Sequence, residues 1–250
     1  MKQFAGLLVI AAALSGPSRV AAQRGQGAPA APAPTPQAAA PIDVTGYWVS
    51  IVTEDWRWRM VTPPKGDAAS VPLNAEGTKV TNSWDPATDG SCLAYGAAGL
   101  MRIPTRLHIT WENDRTIKID TDAGQQTRRL VFDKSQPAPA QRTLQGHSVA
   151  EWEVAGGGRG GAQAPRTGNL KVVTSMMSGG WLRRNGVPYS ESASLTEYFD
   201  RFPGPNGDEW LVVTTIVSDA KYLTQDFVTS THFRKEPNGT KWAPAPCRPA

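Results

Sequence analysis

The sequence predicts an all-β protein, an antiparallel barrel of about 8–10 strands with one short helix. Two observations favour this class. From Thr45 onward apolar and polar residues mostly alternate, as in strands with one buried face. These runs are separated at short intervals by Gly, Pro, Asn and Asp. About ten such runs follow one another, which is enough to close a barrel without free edges.

The first 41 residues are expected to lie outside this barrel. Residues 1–22 are typical of a signal peptide, since Lys2 precedes an apolar run and small residues precede a cleavage between Ala22 and Gln23. Residues 23–41 contain five prolines among alanines, which predicts a flexible tether. A single periplasmic or secreted domain over 42–250 is therefore expected, and a retained N-terminal anchor is the alternative.

Composition and charge argue against several classes of function. The chain has 26 Lys and Arg against 22 Asp and Glu, and part of the net charge of +4 belongs to the segment expected to be removed. This balance does not suggest nucleic acid as a partner. Two cysteines and three histidines are too few for the usual structural metal sites, and no metal, cofactor or stable membrane span is predicted. The oligomeric state stays open.

The predicted elements follow in chain order. Strands are expected at 47–53, 56–61, around 107–111 and 117–119, and at 127–132, 146–154, 169–176, 194–202, 210–217 and 226–235. Asn74 is expected to cap the one short helix, which Pro86 stops. Residues 156–168 form a glycine-rich insertion within a hairpin, predicted to be a disordered loop, with an anion-cradling loop as the alternative.

The two cysteines, Cys92 and Cys247, are predicted to form one disulfide, because an even pair in an exported protein is usually oxidised. The bond would fix a proline-rich C-terminus that otherwise frays. A reactive or metal-bound thiol is the alternative, but neither flank supplies the cationic surroundings that it needs.

Tryptophans and an arginine are the candidate ligand-binding residues. Gly46-Tyr47-Trp48 resembles the glycine-any-tryptophan start of lipocalin- or calycin-like barrels, in which the tryptophan closes one end. In the predicted strand 56–61, Trp56 and Trp58 share one face and two arginines share the other. Such residues fit an aromatic ring or sugar and an acidic group, or else a core-facing pair and a solvated cationic stripe. Tyr198 and Arg102 complete this ligand-binding set.

One strand carries residues suited to acid–base chemistry. His147, Glu151 and Glu153 lie on one side of the strand 146–154, whereas Ser148 lies on the other. A carboxylate can orient a histidine and raise its pKa towards neutrality. The hypothesis is acid–base catalysis by these three residues. The alternative is a structural histidine in a hydrogen-bond network.

Glu197 falls on an apolar strand face, beside Leu195 and Phe199. Because burying an unpaired carboxylate is costly, we expect it to pair with an inward arginine, such as Arg102, Arg106 or Arg128. Such a pair is architectural in most proteins, and catalytic in some.

A longer series of motifs resembles a large family of uncharacterised secreted bacterial β-rich proteins. These motifs are Val44-Thr45-Gly46-Tyr47-Trp48, Cys92, Gly96, Arg102, Pro104, Arg128-Arg129, Gly146 to Glu153, Leu170 to Thr174, Gly186, Ser190, Thr196-Glu197-Tyr198, Thr214 to Asp219, Leu223-Thr224 and Cys247. The resemblance implies a barrel-like domain and supports the pairing of the two cysteines, but it implies no activity. The glycine-rich insertion departs from the family pattern.

Three functions remain open on the sequence alone. The leading hypothesis is an exported barrel that binds a small apolar or aromatic ligand in its interior. The second is a cofactor-free lyase, isomerase or hydrolase in which His147 acts with Glu151 or Glu153 and an arginine steadies negative charge. The third is an envelope interaction module without a pocket.

Overall fold

The computed structural model describes residues 32–53, 55–89, 92–154 and 167–248. The predicted signal peptide, residues 23–31 of the tether and nearly all of the glycine-rich insertion lie outside this range. The chain divides into two compact units, Met1–Ala33 and Pro34–Ala250, and the second holds every element described below.

Thirteen strands and three short helices are present in the described residues. The strands are β1 (Gly46–Ile51), β2 (Arg106–Asn113), β3 (Thr116–Thr121), β4 (Ala123–Gly124), β5 (Thr127–Val131), β6 (His147–Val154), β7 (Gly168–Ser175), β8 (Gly180–Arg183), β9 (Val187–Tyr189), β10 (Ser194–Pro203), β11 (Glu209–Ser218), β12 (Phe227–Glu236) and β13 (Ala245–Pro246). The helices are α1 (Trp56–Arg59), α2 (Ala75–Ser83) and α3 (Ala97–Leu100), with 3₁₀ turns at Leu93–Tyr95 and Pro205–Gly207.

Nine of these strands form a closed barrel, in the order β1-β12-β11-β10-β7-β6-β5-β3-β2. The predicted all-β barrel is therefore confirmed. One neighbouring pair differs from the expected antiparallel pattern, because β5 and β6 run parallel, with Leu130 opposite Ser148. A parallel pair needs a long crossover, and residues 132–146 supply it.

Residues 56–61 do not form the predicted strand, and that prediction is wrong. Trp56–Arg59 is one turn of helix after Asp55, whose backbone is left-handed with φ 54°. In this turn Trp56 and Trp58 no longer share a face. The predicted cap of the longer helix is confirmed, since the Asn74 side chain accepts a hydrogen bond from the Gly77 N–H at 2.9 Å.

The two ends of the barrel differ. The three helices and the β8–β9 hairpin all lie in connections at the end where β1 finishes and β2 begins, here called the capped end. The opposite end, here called the open end, carries the turns between β2 and β3 and between β10 and β11. Trp48 is fully buried near the open end, where its indole N–H donates to Val44 O at 3.0 Å.

Part of the predicted tether docks on the open end. Trp152 donates its indole N–H to Pro36 O at 2.8 Å, and the Gln37 N–H donates to Asp114 O at 3.1 Å. Beneath this segment, Trp111, Phe132 and Trp152 cluster with ring centroids 5.4–6.4 Å apart. Residues 34–42, here called the strap, therefore cover an aromatic layer that faces into the barrel.

The predicted disulfide joins Cys92 to Cys247, with Cα atoms 5.7 Å apart and a sequence separation of 155. It fixes the C-terminal arm at the capped end. There β13 pairs in parallel with β4, and the Ala245 N–H donates to Asp122 O at 2.8 Å.

Candidate functional site

The barrel interior contains a buried ion pair between two apolar layers. Arg128 binds both carboxylate oxygens of Glu197, at 3.0 and 2.6 Å, and both side chains are fully buried. One Arg128 nitrogen also lies 3.2 Å from the Thr174 hydroxyl. The expected pairing of Glu197 is thus confirmed, with Arg128 as the partner.

Close packing on both sides of this pair leaves the interior poorly suited to a ligand. Leu195 on one side and Phe199 on the other are fully buried, as are most inward residues of the neighbouring strands. Recesses of the described residues instead open on the surface. One, of about 320 Å³, lies beside Tyr222 at the capped end. Another, of about 500 Å³, lies beside Trp111 and the strap.

The predicted acid–base residues are divided between the two sides of the wall. His147, Glu151 and Glu153 lie on the outer face of β6, whereas Glu197 lies inside. Hydrogen bonds from Lys134 first, and then from Lys171, lower the pKa of the Glu151 carboxyl.

The structure does not bring His147 together with either carboxylate. The His147 side chain makes no hydrogen bond or ion pair with another described residue, and it lies four strand positions from Glu151, a span of about 13 Å. Lys171 pairs with Glu151 at 3.5 Å and with Glu153 at 3.2 Å. These carboxylates therefore belong to a row of solvent-exposed ion pairs on the outer wall of the barrel.

The predicted ligand-binding residues are also separated, with one exception. Trp48 is buried near the open end, Trp56 is 62% exposed, and Tyr198 is half-buried on the outer wall with Lys171 Nζ 6.0 Å from its ring. Trp58 and Arg102, in contrast, both lie at the capped end close to a third residue, Arg183, which was not among the predicted site residues.

We call the group of Trp58, Arg102, Arg183, Asp55 and Asp67 the arginine site. Its residues come from α1, from the loop before β2, from the end of β8 and from the loop after α1. The Arg102 guanidinium binds Asp55 at 2.9 Å, and the Arg183 guanidinium carbon lies 4.9 Å from the centre of the Trp58 ring. Such stacking stabilises a cation on the electron-rich face of an indole.

Arg183 is the residue that distinguishes this site. It is 5% exposed, yet its guanidinium makes no hydrogen bond or ion pair with any described residue. Burial, followed by the nearby charge of Arg102, lowers the pKa of Arg183 to about 10, against smaller opposing effects of Asp67 and Asp55. The side chain therefore stays protonated at neutral pH. A buried charge without a counter-ion is unfavourable, which makes this position a candidate for binding an anion.

The unpartnered polar atoms of the site are all donors. Within the described residues, no acceptor is available for Trp58 Nε1, Arg102 Nη1, Arg183 Nε and Arg183 Nη1, and each atom is buried. Buried polar groups are almost always hydrogen-bonded, by water where protein atoms are lacking. Four donors without a protein acceptor need acceptor atoms from elsewhere, and an anionic oxygen accepts more strongly than a water molecule does.

The sequence contains a signal for the hairpin that carries Arg183, although it does not indicate that Arg183 is buried. Asn185-Gly186 is a dipeptide typical of tight hairpins, and it turns β8 back into β9. Gly186 has φ +78°, and a Cβ there would lie 2.1 Å from the Trp84 ring. The Asn185 amide donates to Pro64 O and Asp67 O, both at 2.9 Å, so the hairpin also holds the loop that carries Asp67.

His108 does not take part in this site, but its surroundings make the stability of the fold depend on pH. Its ring stacks on Tyr47 with centroids 4.1 Å apart, and burial lowers its pKa from the ordinary value of 6.5, more than Asp120 raises it. The unfolded chain then binds a proton more readily, so the stabilising effect is fully present above pH 6.5 and is lost as pH falls through the lower, folded pKa. We expect His108→Gln to flatten this fall in chemical-unfolding measurements between pH 7.5 and 5. An unchanged slope in the variant would contradict the assignment.

In the described part of the chain, no group of three or more His, Cys, Asp or Glu side chains is arranged to hold a metal ion. None of the helices of residues 32–53, 55–89, 92–154 and 167–248 has the length and apolar character needed to cross a membrane.

Comparisons with models of protein families, with curated proteins and with solved structures found no match for this chain.

Proposed function

We propose that this protein binds a small organic ligand that carries an acidic group, and that the arginine site receives that group. One observation carries the proposal, which is the buried, protonated Arg183 guanidinium with no counter-charge in contact. The acidic group of a ligand would supply the missing charge and accept the unpartnered donors of Arg102 and Trp58.

The same region offers apolar surface for the rest of the ligand. Trp56, Met60 and Val61 follow one another closely in the chain and are 62%, 57% and 64% exposed. Large apolar side chains exposed together are a common feature of binding sites. The faces of Trp58 are less available, because Arg183 and also Arg57, at 5.5 Å, lie over its ring. In this proposal Trp58 positions the cations, and the neighbouring side chains contact the apolar part.

The proposed ligand is small, as the sequence predicts, but it binds at the capped end and not in the barrel interior. The ion pair of Arg128 and Glu197 and its apolar neighbours occupy the interior. Export as a periplasmic or secreted protein is part of the same proposal. It is supported by the Cys92–Cys247 disulfide, since such bonds persist in oxidising compartments.

Thermal unfolding with added ligand tests this function. The protein is expressed from its full sequence, exported and purified from the periplasm. Its measured mass is expected to be that of the chain that begins at Gln23. An aromatic acid such as 2-naphthoate, added at about 100 times its dissociation constant, is expected to stabilise the fold by about 2.7 kcal/mol. In Arg183→Met the shift in Tm is expected to disappear, because the unpaired guanidinium is gone.

The matched control is Arg115→Gln, which removes an exposed arginine from the turn between β2 and β3 at the open end. Its shift in Tm should equal that of the unchanged protein. Naphthoate binding that survives in Arg183→Met, or the absence of any shift with aromatic acids in the unchanged protein, would count against the proposal.

A further inference from the structure

We infer that the acidic group accepted by the arginine site is a single carboxylate, and that the site discriminates against doubly charged phosphate esters. This inference rests on the proposed function and narrows its ligand class. It follows from the charges and donors that surround Arg183.

Among Arg57, Arg102 and Arg183, the ion pairs of the described residues leave one positive charge without a carboxylate. Arg102 is neutralised by Asp55 at 2.9 Å, and Arg57 is neutralised by Asp67 at 3.2 Å. Arg183 is the guanidinium of this group that contacts no carboxylate. One carboxylate would make it a third neutral pair, whereas a phosphate ester would add a second negative charge. Burying an uncompensated charge is costly, so the monoanion is favoured.

Two fixed carboxylates strengthen this preference. Both Asp67 and Asp55 lie close enough to Arg183 to raise its pKa against the larger effects that lower it. Their negative charges therefore act on any anion bound to Arg183, and Coulomb repulsion doubles when the anion carries two charges instead of one. The side chain of Asp67 is 16% exposed, so solvent screens it only in part.

The donors match a planar acceptor. A guanidinium presents its N–H groups in one plane, which suits the two coplanar oxygens of a carboxylate. The Asp55 carboxylate accepts a hydrogen bond from Arg102 Nη2, which leaves Arg102 Nη1 without an acceptor. The ligand carboxylate would accept from Arg183 and from this second nitrogen. Asp55, Asp67 and the ligand carboxylate would then face the guanidinium groups of Arg102, Arg57 and Arg183.

The inference is tested by titration calorimetry of the unchanged full-length protein with three probes that share one ring system. These probes are 2-naphthoate, 2-naphthyl phosphate and the neutral 2-naphthamide. We expect naphthoate to bind at least about tenfold more tightly than the phosphate, and the amide to show no heat of binding.

A second variant keeps the inference testable if Arg183→Met folds poorly. Asp67→Asn removes one fixed negative charge and retains a side chain that can accept the N–H of Ala69, which lies 3.3 Å from Asp67 Oδ1. We expect Asp67→Asn to strengthen binding of the phosphate, so that the ratio of the dissociation constants of naphthyl phosphate and naphthoate falls about threefold or more. Circular dichroism of each variant confirms that it is folded.

The outcomes separate the inference from the proposed function. Phosphate binding equal to or tighter than naphthoate binding overturns the inference but leaves an anion-binding site in place. An unchanged ratio in Asp67→Asn also overturns it. If the amide binds as tightly as naphthoate, the acidic group is not what the site recognises, and the proposed function fails as well. If none of the probes binds, water satisfies the donors and the proposed function also fails.

Discussion

Replacing Glu197 by leucine is expected to lower the free energy of unfolding by about 3–5 kcal/mol. The carboxylate accepts two hydrogen bonds from Arg128, at 3.0 and 2.6 Å, and both side chains are fully buried. Without it, a cation stays in the barrel interior with no counter-charge. Urea unfolding, followed by circular dichroism, measures this loss as a lower midpoint with an unchanged slope.

The double variant Arg128→Met/Glu197→Leu separates the cost of an unpaired charge from a need for the pair itself. Because it removes both charges and fills the space with apolar atoms, it should recover most of the stability that the single variant loses. Arg129→Met is the matched control. Its side chain is 57% exposed and pairs with Glu112 on the outer wall, so it should change stability by less than about 1 kcal/mol. A double variant as unstable as Glu197→Leu would contradict this explanation.

Removing the disulfide by Cys92→Ser/Cys247→Ser is expected to cost about 2–5 kcal/mol. The bond closes a sequence separation of 155. Because the entropy cost of closing a loop increases with its length, the upper part of this range is expected. The C-terminal arm should also become the first site of limited proteolysis. Apart from the disulfide, the hydrogen bonds that hold residues 245–248 are those of the short β13–β4 pair and a weak bond from the Arg248 N–H to the Tyr95 hydroxyl at 3.4 Å.

Reduction of the unchanged protein supplies the control for this variant. Treated with a reducing agent, the unchanged protein should reach the same unfolding midpoint as the double serine variant. Alkylation before reduction should label no thiol in protein recovered after export, and two thiols after reduction. Two labelled thiols before reduction would mean that the bond does not form in that compartment.

The strands of the barrel and the pairing of Glu197 could be predicted because both follow from alternation. A period of two places Leu195, Glu197 and Phe199 on one face, and the apolar neighbours show that this face is buried. The rule gives a buried carboxylate but not its partner. The choice of Arg128 over Arg102 depends on the order of strands around the barrel, which local pattern does not contain.

Residues 56–61 show how the same rule fails. The alternation of tryptophan and arginine has the period of a strand, but residues 56–61 pair with none of the described strands. One turn of helix instead lets Arg59 donate to Arg102 O at 2.9 Å and to Ile51 O at 3.3 Å. Tertiary hydrogen bonding thus overrides local pattern, as it often does in short segments.

Arg183 could not be recognised from its own neighbourhood in the sequence. An arginine beside a second arginine and an Asn-Gly turn is expected to face solvent. Its burial arises from α1 and from the loop that Asn185 holds through Pro64 and Asp67, both distant in sequence. Trp58 and Arg102 were predicted for a related purpose, but the residue that joins them comes from a separate hairpin.

The strap has a practical consequence for the orientation of the molecule on a surface. Because residues 34–42 dock on the open end, an N-terminal tag or fusion partner is joined to the barrel on the side opposite the arginine site. Cys247 packs near Trp181 of β8, so a C-terminal fusion would be joined to the barrel at the capped end, where the arginine site also lies. Protein immobilised through its N-terminus should therefore present the arginine site to solution, whereas C-terminal attachment should crowd it.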